Sequence, residues 1–229
     1  MAITAALGFA EADTAPADPE VTTATLTTTS GRAYVAYVLT STDTTTVTSV
    51  TGCNMTWTQR ALATRSGAFN LYMFTALADG SSTSTALTVD KNGAGTGQIT
   101  VVVELAGIDT SAPFVQYADD ISASNGTQST LTLASFADAT NNAVVFAAAH
   151  ATNEAQSSPA GYSEYGDVGH NTPTRRLSSY ANVGEDTTPN VSWTTSGVWG
   201  TVGLEARAAS AAAFSPVPPN RSQSILLRL

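Results

Sequence analysis

The chain has 229 residues, of which only 12% are charged and 42% are hydrophobic, and its net charge at neutral pH is −9. That length suits one large β domain or two small ones, and it buries a core without covalent staples. An acidic surface with a single lysine, Lys91, repels phosphate backbones and argues against a nucleic-acid partner, and one cysteine, Cys53, leaves no intrachain disulfide.

The opening residues, MAITAALGFAEADTAP, lack a basic n-region and a long apolar run, so neither a signal peptide nor a membrane span is expected. Pro16 and Pro19 block helix, and residues 1–20 read as an extended N-terminal arm. Val21–Thr28 is a Thr-rich strand. Ser30-Gly31 turns it into Arg32–Thr40 (RAYVAYVLT), apolar on both faces, as in a strand covered by two layers. Val47–Thr51 is a strand, Thr51-Gly52 a turn, and a strand carrying Trp57 follows. After Ser66-Gly67, the stretch from Ala68 to Ala78 alternates Phe69, Leu71, Met73 and Leu77 against Asn70, Tyr72, Phe74 and Ala76, the period-2 pattern of a strand. Thr83–Asp90, a glycine-rich hairpin loop and the apolar Gln98–Ala106 complete the first half.

The second half repeats this grammar. Ser129–Leu133 reads as a strand, Asn141-Asn142 as a turn, and Ala143–Ala151 (AVVFAAAHA) as a buried strand of small residues. Residues 152–171 read as a long polar loop. Arg175–Val183, Asn190–Thr195 and Val198–Arg207 are strands, the last with Val198, Val202, Leu204 and Ala206 on one face. Ten to twelve strands with turn signals at this spacing predict an all-β fold. It is an antiparallel β-sandwich of jelly-roll type spanning 21–209, with extended N- and C-terminal arms.

The arm at 210–229 differs in composition. Pro216, Pro218 and Pro219 favour a stiff extended spacer, and Ile225, Leu226, Leu227 and Leu229 form an aliphatic hook. Burying four such side chains contributes on the order of 6–10 kcal/mol before ordering costs. Phe214, these three prolines and the four aliphatic residues are therefore the predicted partner-binding set. The hook docks on another subunit or folds back on its own sandwich.

Chemistry-bearing residues are sparse. His150 ends a buried strand in register with Val144, Phe146 and Ala148, and reads as a core-edge histidine. His170 with Asp167 is too thin for a metal site. Asp90-Lys91-Asn92-Gly93 resembles half a calcium loop but lacks the distal glutamate, and reads as a hairpin turn. Glu104 and Glu205 lie inside apolar strands. They form a candidate pair of acids for glycoside hydrolysis, although an arginine partner or a wet sheet face explains each more simply. Trp57, Trp193 and Trp199 offer either core packing or a sugar platform. No nucleophile, phosphate-loop or dinucleotide motif occurs. The expectation is a non-enzyme with no cofactor and no metal.

The segments SVTGCNMTWTQRALA, FNLYMFTALADGSS and QITVVVELAGIDTSAPF resemble the jelly-roll-like virion proteins of tailed bacteriophages, over about residues 30–115 and again at 140–207. That resemblance implies a structural protein of the virion, assembled in the host cytoplasm: a capsid decoration (cement) protein, or a tail or fibre subunit. It implies other virion proteins as partners, the major capsid protein or tail subunits. It also implies self-association, as trimers for decoration proteins. The alternative function is a tail- or fibre-associated β-sandwich that binds carbohydrate or a receptor.

Overall fold

The computed structural model describes residues 2–210, and among them there is no helix. The partner-binding set predicted at Phe214, Pro216, Pro218, Pro219, Ile225, Leu226, Leu227 and Leu229 lies outside the described residues. Fifteen strands form two units. The first contains β1 (Thr4–Asp13), β2 (Glu20–Thr27), β3 (Arg32–Thr40), β4 (Val47–Thr51), β5 (Thr58–Arg65), β6 (Phe69–Ala78), β7 (Ser84–Lys91) and β8 (Gln98–Ala106). The second contains β9 (Phe114–Ile121), β10 (Gly126–Gln128), β11 (Ala143–His150), β12 (Ser163–Asn171), β13 (Thr174–Val183), β14 (Ser192–Gly197) and β15 (Trp199–Ala206).

The units share one topology. The first builds an antiparallel sheet in the order β1-β8-β3-β6-β5, the second one in the order β9-β15-β11-β13-β12. Strand for strand the orders coincide. On the outer side, β2-β7-β4 covers the first sheet and β10-β14 contributes to the cover of the second. An isolated bridge between Ser157 and Ser192 stands where β4 pairs with β7. Registers agree as well. Val35 pairs with Thr75 and Val103, and its counterpart Val145 pairs with Ala181 and Leu204.

The two five-stranded sheets pack face to face, and their inner side chains make the largest core. Val35, Tyr37, Leu39, Phe69, Leu71 and Met73 come from the first unit. Small side chains dominate the second unit's share, among them Ala143, Ala147, Ala149 and Ala181. A Cβ on Gly200 would sit 3.1 Å from the Phe69 ring, so that glycine makes room for the ring. Large residues on one sheet thus meet small ones on the other, which lets the faces interdigitate at protein density. The alternate residues Tyr34, Ala36, Val38, Tyr72 and Phe74 face the outer layer of the first unit, and Val144, Phe146, Ala148 and Tyr180 that of the second. Double coverage is the reason that β3, β6, β8, β11 and β15 read as apolar on both faces.

Four sequence expectations change. The N-terminal arm is not free: Thr4–Asp13 is β1, paired with β8 from Thr4↔Ala106 to Asp13↔Gln98, with Ile3 and Phe9 buried. Its Ala- and Gly-rich pattern carried too weak an apolar signal to register as a strand. The long loop at 152–171 contains β12, whose glycines and charges hide its period. Trp57 precedes β5 rather than lying in it. Ser129–Leu133 is not a regular strand, although Leu131 and Leu133 donate to the carbonyls of Pro189 and Thr187 and fill the second outer core.

Candidate functional site

The two units touch at their edges as well as their faces. β1 lies beside β12, and β5 beside β9. Since β1 corresponds to β9 and β5 to β12, each contact is the exchange of the other, as an internal twofold axis requires. Two open clefts follow from this. One, about 420 Å³, lies between β1 and the β12–β13 hairpin and is lined by Ile3, Ala5, Tyr165, Ala181 and Val183, among others. The other, about 400 Å³, lies between β5–β6 and the start of β9, where the Arg60 guanidinium sits 5.0 Å over the Tyr117 ring.

A third cavity, about 370 Å³, opens at the end of the molecule where the β12–β13 turn meets the loop after β3. There Ser41 Oγ and His170 Nε2 are 2.8 Å apart. A serine beside a histidine is the first requirement of nucleophilic catalysis. The surroundings here already employ both groups. Ser41 and His170 are 1% and 6% exposed, and a Cβ on Gly97 would lie 2.7 Å from Ser41 Oγ and 2.8 Å from Nε2. Asp43 accepts from Gly67 N at 2.7 Å and Ser41 N donates to the Gly97 carbonyl, so both are already engaged. Burial holds His170 below the ordinary imidazole range, and Arg175 adds to that.

Arg175 explains the arrangement better. Its Nη2 donates to the carbonyls of Ser41 at 3.0 Å and Ala68 at 2.6 Å, and its guanidinium lies over Phe69. One side chain of the second unit therefore ties two chain ends of the first. Arg175→Ala is expected to lower stability by about 2 kcal/mol, from lost charged hydrogen bonds and two carbonyls left without that donor. Urea unfolding checks this, and Arg175→Lys should recover only part of the loss, because an ammonium lacks the planar fork.

The two candidate acids occupy equivalent positions. Glu104 is opposite Tyr34 on β3, and Glu205 is opposite Val144 on β11. Glu104 pairs with Arg32 and accepts from Tyr34 Oη at 2.7 Å. That contact and burial push the Tyr34 phenol up to about 12. Glu205 is fully buried and accepts from Gln116 Nε2 at 2.7 Å, Ala137 N at 3.0 Å and Asn142 Nδ2 at 2.5 Å. Arg32 and Asn142 are themselves counterparts at the start of β3 and β11. Each acid faces the outer layer of its own unit, with the central core between them, so they do not converge on a substrate as glycoside hydrolysis needs.

The remaining candidates are packing groups. Trp193 and Trp199 are buried in the second outer core, and Trp57 is half-buried against the first, with Nε1 donating to the Gly52 carbonyl. His150 stacks on Trp193 at 4.3 Å between centroids. Cys53 is buried beside the carbonyls of Leu26 and Thr85. In the Asp90–Gly93 turn, Lys91 is buried and its Nζ donates to Gln98 Oε1 at 2.9 Å. Burial lowers its affinity for the proton, while Glu20, Asp18, Asp13 and Asp90 oppose that. Asp90, exposed beside it, accepts instead from Thr48 Oγ1 at 2.8 Å, so the segment is a strand end and turn. Among the described residues no group of three or more His, Cys, Asp or Glu is placed to hold a metal.

Sequence reasoning missed Arg175 and the Lys91 pocket. Arg175 binds backbone carbonyls, which carry no sequence signature, and apart from the adjacent Asp90 the acids around Lys91, Asp13, Asp18 and Glu20, lie about 70 or more positions away, as in the 73-residue separation between Asp18 and Lys91. Comparison with protein-family models, curated proteins and solved structures yields no match.

Proposed function

We propose that the protein is a non-enzymatic virion structural subunit, a capsid decoration or tail component that docks through its termini and sheet edges. The observation that carries this reading is how the polar groups inside the body are used. Ser41–His170, Arg175, Glu104, Glu205 and Lys91 are each engaged in bonds that hold strands, loops or the two units together. What remains for binding is the exterior: edge strands and the two clefts between the units.

The fold supports the same reading. In the first unit the order 1-8-3-6 faces 2-7-4, an arrangement that supports a jelly-roll-type reading, with β5 at the end of the larger sheet rather than in the smaller one. A fused pair of such sandwiches is a rigid block suited to a particle surface. Its partners in this reading are other virion proteins, the major capsid protein or tail subunits, together with further copies of itself. The carbohydrate-binding alternative loses Trp193 and Trp199 as a sugar platform, since both are buried.

The test is particle composition. Mass spectrometry and cryo-electron microscopy of purified virions should find the chain in many copies per particle, on the capsid exterior or the tail. Its absence from purified particles overturns the reading.

A further inference from the structure

We propose that the cleft between β1 and the β12–β13 hairpin is the receptor for residues 225–229 of a second copy of this chain, exchanged reciprocally. This rests on the reading above that the protein assembles through its termini.

Four observations carry it. The cleft is the right kind of surface: about 420 Å³, with walls from Ile3, Ala5, Tyr165, Ala181 and Val183. That volume lies within the roughly 300–1,000 Å³ of pockets that hold ligands. Apolar exposure continues around it. Val183 is 43% exposed, and Leu7, which a Cβ on Gly166 beside Tyr165 would meet at 3.5 Å, is 49% exposed. In addition, β1 and β12 each end a sheet, so an incoming extended segment finds strand edges on which to add.

The chain leaves the body beside this cleft. Arg207 N donates to the Pro113 carbonyl, Ala208 N to Asn142 Oδ1 at 3.0 Å, and Ala209 N to the Gly107 carbonyl at 2.8 Å. Asn142 precedes Ala143, which lines the cleft, and Gly107 abuts Ala2, next to Ile3. The path therefore runs away from Pro113, which lines the opposite cleft, and toward this one. Tail origin and receptor lying side by side is the arrangement that lets two copies swap tails about a twofold axis.

The sequence of the tail selects the cleft. Arg228 lies within the hook, and the opposite cleft carries Arg60, so like charges disfavour that alternative. No cationic side chain lines the proposed cleft. Ile225 lies 15 positions beyond Ser210. The run from Pro216 to Pro219 favours an extended spacer of roughly 12 Å at 3.1 Å per residue.

The experiment is the solution mass of the full chain by light scattering after gel filtration. It is repeated for the tail variant Leu226→Asp/Leu227→Asp, the cleft variants Val183→Asp and Ser163→Arg, and Arg60→Ala as a control in the other cleft. Val183 and Ser163 are exposed, so these variants keep the core, and thermal unfolding verifies that each is folded. The expected result is twice the chain mass for the full chain and for Arg60→Ala, and the monomer mass for the tail and cleft variants. A synthetic peptide of residues 220–229 should bind the tail variant and fail to bind the same chain carrying Val183→Asp. A dimer that survives the cleft variants overturns the proposal. A monomeric full chain also overturns it: if the peptide binds the tail variant the hook docks within its own chain, and if not the cleft is no receptor. Each of those failures leaves the virion reading standing, since that reading depends on particle composition.

Discussion

Glu205→Ala is expected to destabilise the protein by about 3–5 kcal/mol, while the same change at its counterpart Glu104 costs about 1–2 kcal/mol. Glu104 lies two residues from the end of β8 and Glu205 one from the end of β15; Glu104 bonds to Arg32, the first residue of β3, and Glu205 to Asn142, immediately before β11. Their surroundings differ. Glu205 is buried, and its three donors are the Gln116 and Asn142 amides and Ala137 N. Truncation leaves the buried Asn142 amide without this acceptor, at about 1–3 kcal/mol, while the half-buried Gln116 amide and the exposed Ala137 N lose less. It also opens a void in the layer between β15 and the 134–137 segment. The Arg32 side chain, by contrast, is 38% exposed, so losing Glu104 returns that guanidinium to water, the weak regime of surface ion pairs. Tyr34 is itself buried, so the loss of the acceptor for its Oη sets the cost there, about 1–2 kcal/mol. Urea unfolding of Glu205→Ala, Glu205→Gln and Glu104→Ala measures the contrast. Glu205→Gln should fall between, because its amide keeps one acceptor but turns an N–H toward a donor. Equal losses at the two sites would contradict the assignment of Glu205 as the buried tie of the second unit.

That pair also shows how far the sequence alone carries. VELAG at 103–107 and LEARA at 204–208 share little beyond the glutamate, yet ladder registers put the two acids in one place. A chain that repeats a topology need only keep the apolar alternation and turn positions, so side-chain identity drifts while the pairing persists. The most legible strands were those covered on both faces, such as β3, β6 and β11, where apolar runs are unbroken, while half-exposed strands such as β2 and β7 showed in their alternation. β12 was not legible, because SEYGDVGHN alternates no better than a loop and is held by its pairing with β13. The Ser41–His170 contact joins residues 129 apart, and nothing local to either residue announces it. Reading His150 as a core-edge residue and the tryptophans as packing groups rested on strand register, which is a local property, and local properties were the ones within reach.

The second large effect is acid lability set by His150. This side chain is 0% exposed, stacked on Trp193, with Nδ1 2.6 Å from Thr152 Oγ1. No acceptor among the described residues reaches Nε2, and a Cβ on Gly197 would stand only 2.7 Å from it, so the ring has neither a partner for a second proton nor space to find one. Burial therefore pushes its pKa down to about 4, with Glu154 pulling weakly the other way. The unfolded chain, whose histidine titrates near 6.5, binds the proton more readily. Stability from the neutral ring is fully present above about pH 6.5. It is lost as the pH falls toward 4, at up to about 1.4 kcal/mol per pH unit, and the loss saturates near 3 kcal/mol below that. His170, also held low by burial, contributes with the same sign. The separation comes from the variant: urea unfolding from pH 7.5 to 4.0 should show a steeper fall for the wild type than for His150→Gln, by close to one proton over the window. Parallel slopes would mean that the ring accepts a proton where it stands. The stack on Trp193 would then have to open at moderate acidity without cost, which its burial between β11 and β14 forbids.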